Sequence, residues 1–198
     1  MPEVRQLVCY AAIVLVLSGC AASGPPLNSD LIEQSFGSYG VEVRAADGER
    51  RVASLYSGPP GGAVTRTYAI TEFLAPQRAA YRPEHEQVLA GASIGSTFRA
   101  AGWDIRKQSI YIGELEVPES YTTIARLMSI GLPETLAVHE YLFIVTKEER
   151  SFSYAKITEL HHPAFLNAAE LKNLYGEILF DDSNRDSIHE FLGAPPGK

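Results

Sequence analysis

The chain has 198 residues, of which 45% are hydrophobic and 21% are charged, and its formal net charge at pH 7 is −7. This length and this balance are sufficient for one sizeable domain with a packed core. Because nucleic-acid-binding proteins present clustered positive charge, the anionic balance argues against a nucleic acid as a partner.

The first nineteen residues have the layout of a secretory signal peptide. A charged start over residues 1–6 precedes an apolar run over residues 7–17, and small residues follow that run. The eleven apolar residues are too few for a membrane-spanning helix, which needs about 20. We therefore predict a signal peptide over residues 1–19.

Residues 17–20, Leu-Ser-Gly-Cys, resemble the lipobox of bacterial lipoproteins. In that family a diacylglyceride is attached to the cysteine thiol, and cleavage before the cysteine exposes an amino group that is then acylated. The resemblance implies that Cys20 is the lipid attachment residue and carries palmitate. Ala21 in the next position implies an anchor in the outer membrane, with the domain facing the periplasm. The alternative is an ordinary signal peptide with a chance cysteine.

The rest of the chain divides into a tether, a domain and a tail. Residues 20–29 are small, polar and proline-rich after the cysteine, which predicts a flexible tether. Residues 30–193 fit a single globular domain, and residues 194–198 predict a frayed end. Since Cys9 leaves with the signal peptide and Cys20 carries the lipid, the mature chain forms no disulfide.

The domain mixes helix and strand signals without a regular βαβ alternation. Asp30 and Glu33 predict a capping box for a short helix that Gly37 ends. Strands are predicted over 41–46, 51–57, 64–74, 103–117, 135–146 and 151–160, with hairpin turns at Asp47-Gly48 and across residues 147–150. Helices are predicted over 83–89, 94–102 and 121–131, and Asn167 with Glu170 is predicted to cap a last helix. The sequence therefore predicts an α+β fold, with a mostly antiparallel sheet and flanking short helices.

Two stretches of the domain share a pattern. Residues 68–73 (YAITEF) are followed by Pro76, and residues 154–160 (YAKITEL) are followed by Pro163. We interpret them as a strand–proline–helix unit that occurs twice. The alternative is chance convergence of two amphipathic strands.

This duplicated layout resembles the chorismate lyase-like fold, which the effector domains of the UTRA family of bacterial regulators share. Residues 92–103 (ASIGSTFRAAGW) are similar to the segment that follows the proline in that fold. Residues 158–160 (TEL) are similar to a lyase segment whose glutamate lines the product pocket. The resemblance spans residues 30–185 and implies a fold and a pocket between sheet and helices. It does not imply the lyase reaction, because chorismate is a cytoplasmic metabolite.

Three residues are candidates for ligand binding. The repeat places Glu72 and Glu159 at equivalent strand ends before a proline. Strand alternation puts His161 on the same face as Glu159, with His139 on the facing strand, where an acid–base pair or a metal is geometrically possible. Because zinc ligands usually show tighter recurring spacing, we predict no metal, and no cofactor beyond the covalent lipid. His85 lies among charged residues and is predicted to be solvated.

Residues 91–95 (GASIG) match the G-x-S-x-G nucleophile pattern, and Asp181 or Asp182 and then His189 follow in the order of α/β-hydrolases. That geometry needs a strand that runs into Ser93, whereas the preceding residues are predicted to be helical. We therefore interpret Ser93 as the cap of a helix and predict no catalytic residue.

Three classes of function remain open. The favoured one is a membrane-anchored binding module for a small polar ligand or an envelope component. A second is an assembly or structural lipoprotein that docks onto an envelope protein complex, and a third is a hydrolase that uses Ser93. A polar cavity near Glu72 and Glu159 would favour the first, an exposed apolar patch the second, and a Ser93–His189 hydrogen bond the third.

Overall fold

The computed structural model describes residues 26–76 and 78–176. The predicted signal peptide, the predicted lipobox at Cys20 and most of the predicted tether lie outside these residues. Asp181, Asp182, His189 and the predicted tail at 194–198 lie outside them too. Among the described residues, no helix has the length and apolar character needed to cross a membrane.

The domain is α+β, as the sequence predicts. Its six strands form one open sheet in the order β1-β2-β3-β6-β5-β4, and every neighbouring pair is antiparallel. The strands are β1 (Gly40–Ala46), β2 (Arg50–Ser57), β3 (Val64–Phe73), β4 (Asp104–Val117), β5 (Glu134–Lys147) and β6 (Arg150–His161). The helices are α1 (Asn28–Phe36), α2 (Arg82–Leu89), α3 (Ile94–Ala100), α4 (Thr122–Met128) and α5 (Ala168–Tyr175).

Local turn chemistry fixes two of the hairpins, one between β1 and β2 and one between β5 and β6. Between β1 and β2, the Asp47 carboxylate accepts hydrogen bonds from the backbone N–H groups of Glu49 and Arg50, at 3.0 and 2.7 Å. Between β5 and β6, Glu148 and Glu149 both adopt left-handed backbone conformations, with φ of 50° and 64°. Two such residues form the tight turn whose twist matches that of the flanking strands. Both hairpins confirm the sequence prediction.

The sheet has two covered faces because alternate side chains point to opposite sides. On the front face, which carries Tyr141 and Ile157, the helices α2 and α3 bury Val88 and Phe98 against an aromatic cluster. On the back face, α4 buries Ile124 and Met128 against Leu115, Leu136, Val138 and Leu160. The front face is the one that matters for function, because α1 and α3 both begin over it.

The first helix differs from its prediction at its start and agrees at its end. It begins at Asn28 rather than after Asp30, and no described side chain caps it, so the predicted capping box is wrong. The physical reason is that Leu27 is buried at the helix start while the Asp30 carboxylate pairs with Arg99 at 2.7 Å. Residues 27–29 therefore belong to the folded domain instead of the tether. Gly37 ends the helix with φ of 74°, as predicted.

The two similar stretches have the same order of elements. β3 is followed by Pro76 and α2, and β6 is followed by Pro163 and α5. Their strands are neighbours in the sheet, with Ala69 opposite Glu159. Duplication and kinship to the lyase-like fold remain predictions.

Candidate ligand-binding site

A cavity of about 60 Å³ lies on the front face, between the sheet and the first turns of α1 and α3. A water molecule needs roughly 10–15 Å³ of such volume, so the cavity holds a few waters or one small molecule. Its wall is made by Leu27, Asn28, Ser29, Tyr39, Val41, Arg51, Ala53, Leu55, Ala69, Thr71, Ser93, Ile94, Gly95, Lys107, Tyr141, Phe143, Ile157 and Glu159.

The register of the sheet builds the floor of this cavity. Ala53 pairs with Ala69 across β2 and β3, and Ala69 pairs with Glu159 across β3 and β6. Two alanines in a row leave open the volume that larger side chains would fill. The neighbouring row continues from Arg51 through Thr71 to Ile157, so charged and apolar side chains share the floor.

Close packing between α1 and α3 builds the roof. A Cβ on Gly95 would lie 2.8 Å from Leu27 Cδ2 and 2.9 Å from Leu27 Cδ1, which real side chains do not tolerate without movement. The glycine therefore lets the two helix starts meet above the cavity. Arg99 on α3 and Asp30 on α1 tie the same helices together at the surface.

Arg51 is a buried positive charge on the cavity floor. Arg51 is only 2% exposed, and its Nη2 donates a hydrogen bond to the carbonyl oxygen of Ala92 at 3.0 Å. Within the described part of the chain, its Nε has no hydrogen-bond partner and no carboxylate forms an ion pair with it. Burial lowers the pKa of Arg51 from its ordinary value, but arginine side chains stay protonated in proteins.

Lys107 and Glu159 form a second charged group at the opposite side of the floor. Lys107 Nζ lies 3.8 Å from Glu159 Oε2 and 3.2 Å from the Tyr175 hydroxyl, and both charged side chains are almost fully buried. The Tyr141 hydroxyl donates to Glu159 Oε1 at 2.9 Å. Burial lowers the pKa of Lys107, but the Glu159 carboxylate and Tyr175 outweigh it, so the pKa is raised overall.

Two buried histidines lie next to this pair. His161 hydrogen-bonds Thr67 Oγ1 through Nδ1 at 3.1 Å, and its Nε2 lies 3.9 Å from Glu159 Oε2. His139 Nε2 hydrogen-bonds Ser109 Oγ at 2.9 Å. Burial, with the Lys107 charge adding to it, lowers the pKa of His139 to about 2. Burial also lowers the pKa of His161 to about 4, despite the opposing effect of Glu159. Both rings are therefore neutral at physiological pH.

The structure separates the three predicted ligand-binding residues. Glu159 lines the cavity, and His161 lies behind it against Thr67. Glu72 does not line the cavity, because it pairs with Lys156 in the register of the sheet and forms an ion pair with it at 3.1 Å. Of the two predicted glutamates, Glu159 is therefore the one at the cavity.

Ser93 lies at the start of α3 and borders the cavity. It follows the helix α2 and a short turn, so the strand that a nucleophile elbow needs is not there. Ser93 occupies the N-cap position of α3, as predicted, and its carbonyl oxygen accepts the first helical hydrogen bond, from Thr97 N–H at 3.0 Å, but its side chain makes no capping hydrogen bond within the described residues. Its predicted partner His189 lies outside those residues. His85, predicted to be solvated, is instead buried and hydrogen-bonded to the Tyr154 hydroxyl at 2.8 Å.

Sequence reasoning missed Arg51, Lys107 and Asn28. The sequence contained a signal for the first two. Arg51 lies on the same side of β2 as Ala53 and Leu55, and Lys107 lies on the same side of β4 as Ile105. A charged residue on the apolar side of an amphipathic strand is expensive to bury and indicates a special role.

In the described ranges, no group of three histidine, cysteine or acidic side chains is placed to hold a metal ion. A comparison with models of known protein families finds no match for this chain. A search of curated proteins finds no significant match either.

Proposed function

We propose that this chain is a lipid-anchored protein of the bacterial envelope whose folded domain binds a small polar ligand on the front face of its sheet. The lipobox-like residues 17–20 support the anchor, on Cys20 in the outer membrane, with the domain in the periplasm. The cavity supports the binding role. The lyase-like resemblance is a proposal of the same kind, supported by an antiparallel sheet with a cavity beneath short helices.

The observation that carries the binding role is a set of buried polar atoms without partners around the cavity. They include both amide atoms of Asn28, Arg51 Nε and Glu159 Oε2, none of which forms a hydrogen bond within the described residues. Buried polar groups in folded proteins are nearly always hydrogen-bonded, because leaving one unpaired costs about 1–3 kcal/mol. Several such atoms around one cavity are typical of a site whose polar contacts are completed by a bound molecule.

The assembly alternative has less support. Among the described residues, the large exposed apolar side chains are Leu74 in the bend after β3, Leu89 at the end of α2 and Leu174 on α5. A docking surface is expected to present contiguous apolar area. The hydrolase alternative lacks the strand that would present Ser93.

A ligand screen on a cavity-filled variant tests the binding role. The full-length protein, purified from bacterial membranes in detergent, is heated while the fluorescence of its single tryptophan, the buried Trp103, reports unfolding. Cell-wall fragments and polar metabolites are screened for a raised unfolding midpoint. We expect compounds that stabilise the wild type and fail to stabilise Ala69→Leu, which fills the floor.

Ala100→Leu is the matched control, because it adds the same atoms to an exposed position on α3. Ala53→Val is a milder filling variant if Ala69→Leu folds poorly. Hits that stabilise Ala69→Leu, Ala53→Val and the wild type equally would place the binding site elsewhere. A screen without any hit would favour the assembly alternative.

A further inference from the structure

The cavity has an uncompensated positive charge at one end. Lys107 is paired with Glu159, whereas no carboxylate in the described ranges pairs with Arg51, which is 2% exposed. A buried charge without a counter-ion is strongly unfavourable. An anion in the cavity would supply that counter-ion and accept a hydrogen bond from the free Nε.

The start of α1 supplies a second, independent group of donors at the same cavity. This helix has nine residues, and its first turn is capped by no side chain that the structure describes. Helix N-termini carry partial positive charge and unpaired N–H groups, which favour anions. Asn28, in that turn, is 5% exposed, and neither of its amide atoms has a partner among the described residues.

The opposite side of the cavity carries an acceptor. Glu159 Oε2 lies 3.8 Å from Lys107 Nζ and 3.9 Å from His161 Nε2, and both distances are too long for a hydrogen bond. That oxygen lines the cavity and is free to accept a hydrogen bond from a ligand. β2 and β6 lie two strand spacings apart, on either side of β3. The backbones of Arg51 and Glu159 are therefore separated by roughly 10 Å across the sheet.

We propose that the cavity binds the carboxylate of a small molecule between Arg51 and Asn28, while Glu159 accepts a hydrogen bond from an amine or hydroxyl of the same molecule. This inference rests on the proposed function and specifies its ligand class. The volume of about 60 Å³ restricts the part of the ligand inside the cavity to an amino-acid-sized or hydroxy-acid-sized unit. Such a unit is either a free small molecule or the C-terminal residue of a peptide.

Four small molecules separate the contributions that the Arg51 end and the Glu159 end of the cavity make to binding. Alanine carries the carboxylate and the ammonium group, alaninamide lacks the carboxylate, propionate lacks the ammonium group, and alanylalanine carries the carboxylate on a peptide. Dissociation constants for the full-length protein are measured by calorimetry at constant ionic strength. We expect the wild type to bind alanine more tightly than either alaninamide or propionate.

Arg51→Met tests the anchor directly. Because the variant loses a charge-assisted hydrogen bond to the carboxylate, we expect it to bind alanine about ten- to a hundredfold more weakly than the wild type does. The affinity for alaninamide, which has no carboxylate, should not change. Arg150→Met removes the same charge from a side chain that is 67% exposed on the β5–β6 turn and is expected to change neither affinity. Arg51→Lys, which keeps the charge without the planar fork, gives an intermediate loss and serves if Arg51→Met folds poorly.

Each result that differs from these expectations contradicts a different part of the proposal. If alanine and alaninamide bind equally, or Arg51→Met binds alanine as the wild type does, the carboxylate site is wrong while the binding role stands. If propionate binds as tightly as alanine, Glu159 has no part in recognition. If no compound binds in these assays or in the screen, the proposed function fails as well. The ratio of alanine to alanylalanine affinity assigns the source of the carboxylate, and either ratio supports the site.

Discussion

At the scale of single residues, the domain buries an ion pair on the front face of its sheet. Lys107 and Glu159 are almost fully enclosed, and Tyr141, Tyr175 and two neutral histidines surround them. The attraction within a buried pair offsets the loss of water only while both partners are present. The pair therefore holds β4 and β6 in place on either side of β5 and shapes the cavity floor.

Removing one member of this pair is expected to destabilise the fold strongly. Glu159→Gln leaves Lys107 buried without a counter-charge, and we expect the free energy of unfolding to fall by about 3–5 kcal/mol. The measurement is urea unfolding followed by Trp103 fluorescence. The double variant Glu159→Gln with Lys107→Met should recover part of that loss, because both charges are gone. A double variant as unstable as the sum of the single variants would show that the two side chains do not interact.

The neutral histidines predict a stability that falls in mild acid. The pKa of His161 is about 4 and that of His139 about 2 in the folded protein, against 6.5 ordinarily. The unfolded chain therefore binds more protons below pH 6.5, and stability falls by about 1.4 kcal/mol per pH unit for each histidine. This loss continues to the folded pKa of each ring, so full stability is present only above pH 6.5.

Unfolding in urea between pH 7 and pH 5 measures this slope. The slope reports how many more protons the unfolded chain binds than the folded protein. His161→Gln should lower this number by close to one, whereas His162→Gln, which changes a half-buried neighbour, should lower it less. An unchanged slope in His161→Gln would mean that this ring takes up its proton equally well in both states.

At the scale of elements, the position of α1 governs access to the site. Its first turn forms part of the roof, and its end is fixed by Gly37 in the left-handed conformation. α1 packs against α3 through the contact of Leu27 with Gly95 and through the ion pair of Asp30 with Arg99. The exposed ion pair contributes at most about 1 kcal/mol, so packing and the helix end decide where α1 lies.

Gly37→Ala is expected to destabilise the domain by about 1–2 kcal/mol, because an L side chain is strained at φ of 74°. Gly131→Ala is the control, since a Cβ there meets nothing within 4 Å and no positive φ is required. We expect a change within about 0.5 kcal/mol for the control. Urea unfolding of the two variants checks the comparison, and equal effects would show that the end of α1 does not depend on Gly37.

At the scale of the whole molecule, the proposed anchor and the cavity lie close together along the chain. Cys20 precedes the first described residue, Pro26, by six positions, and Leu27 already lines the cavity. If the lipid prediction holds, the ligand site begins within a few residues of the membrane attachment. The domain would then present its cavity near the membrane surface.

Cys20→Ser tests the anchor independently of the site. Expressed in a bacterium with labelled palmitate, the wild type should incorporate label and sediment with membranes, whereas Cys20→Ser should do neither. The thermal unfolding midpoint and the ligand-induced shift should be the same in both, because Cys20 precedes the described domain. Equal labelling of the two proteins would end the lipoprotein interpretation.

The sequence by itself determined the local elements of this protein. The Asp47-Gly48 turn, the Asn167–Glu170 capping box and the helix end at Gly37 all act over a few residues, and the structure confirms each of them. Glu159 was found from a local pattern as well. The start of α1 was not, because the burial of Leu27 against Gly95 outweighs the capping preference of Asp30.

Only the tertiary structure decided which residues form the site. Arg51 and Glu159 are 108 positions apart, and they meet at one cavity because β3 pairs with β6 and places Ala69 between them. Alternation tells which side of a strand a residue occupies, but strand order and register arise from pairing over long separations. That pairing brings Glu159 beside the strands that carry Ala69 and Arg51, and the packing of α1 on α3 brings Asn28 over them. Glu72 ends the same short sequence pattern as Glu159, but it follows the cavity-lining Thr71 and therefore lies on the other side of the sheet.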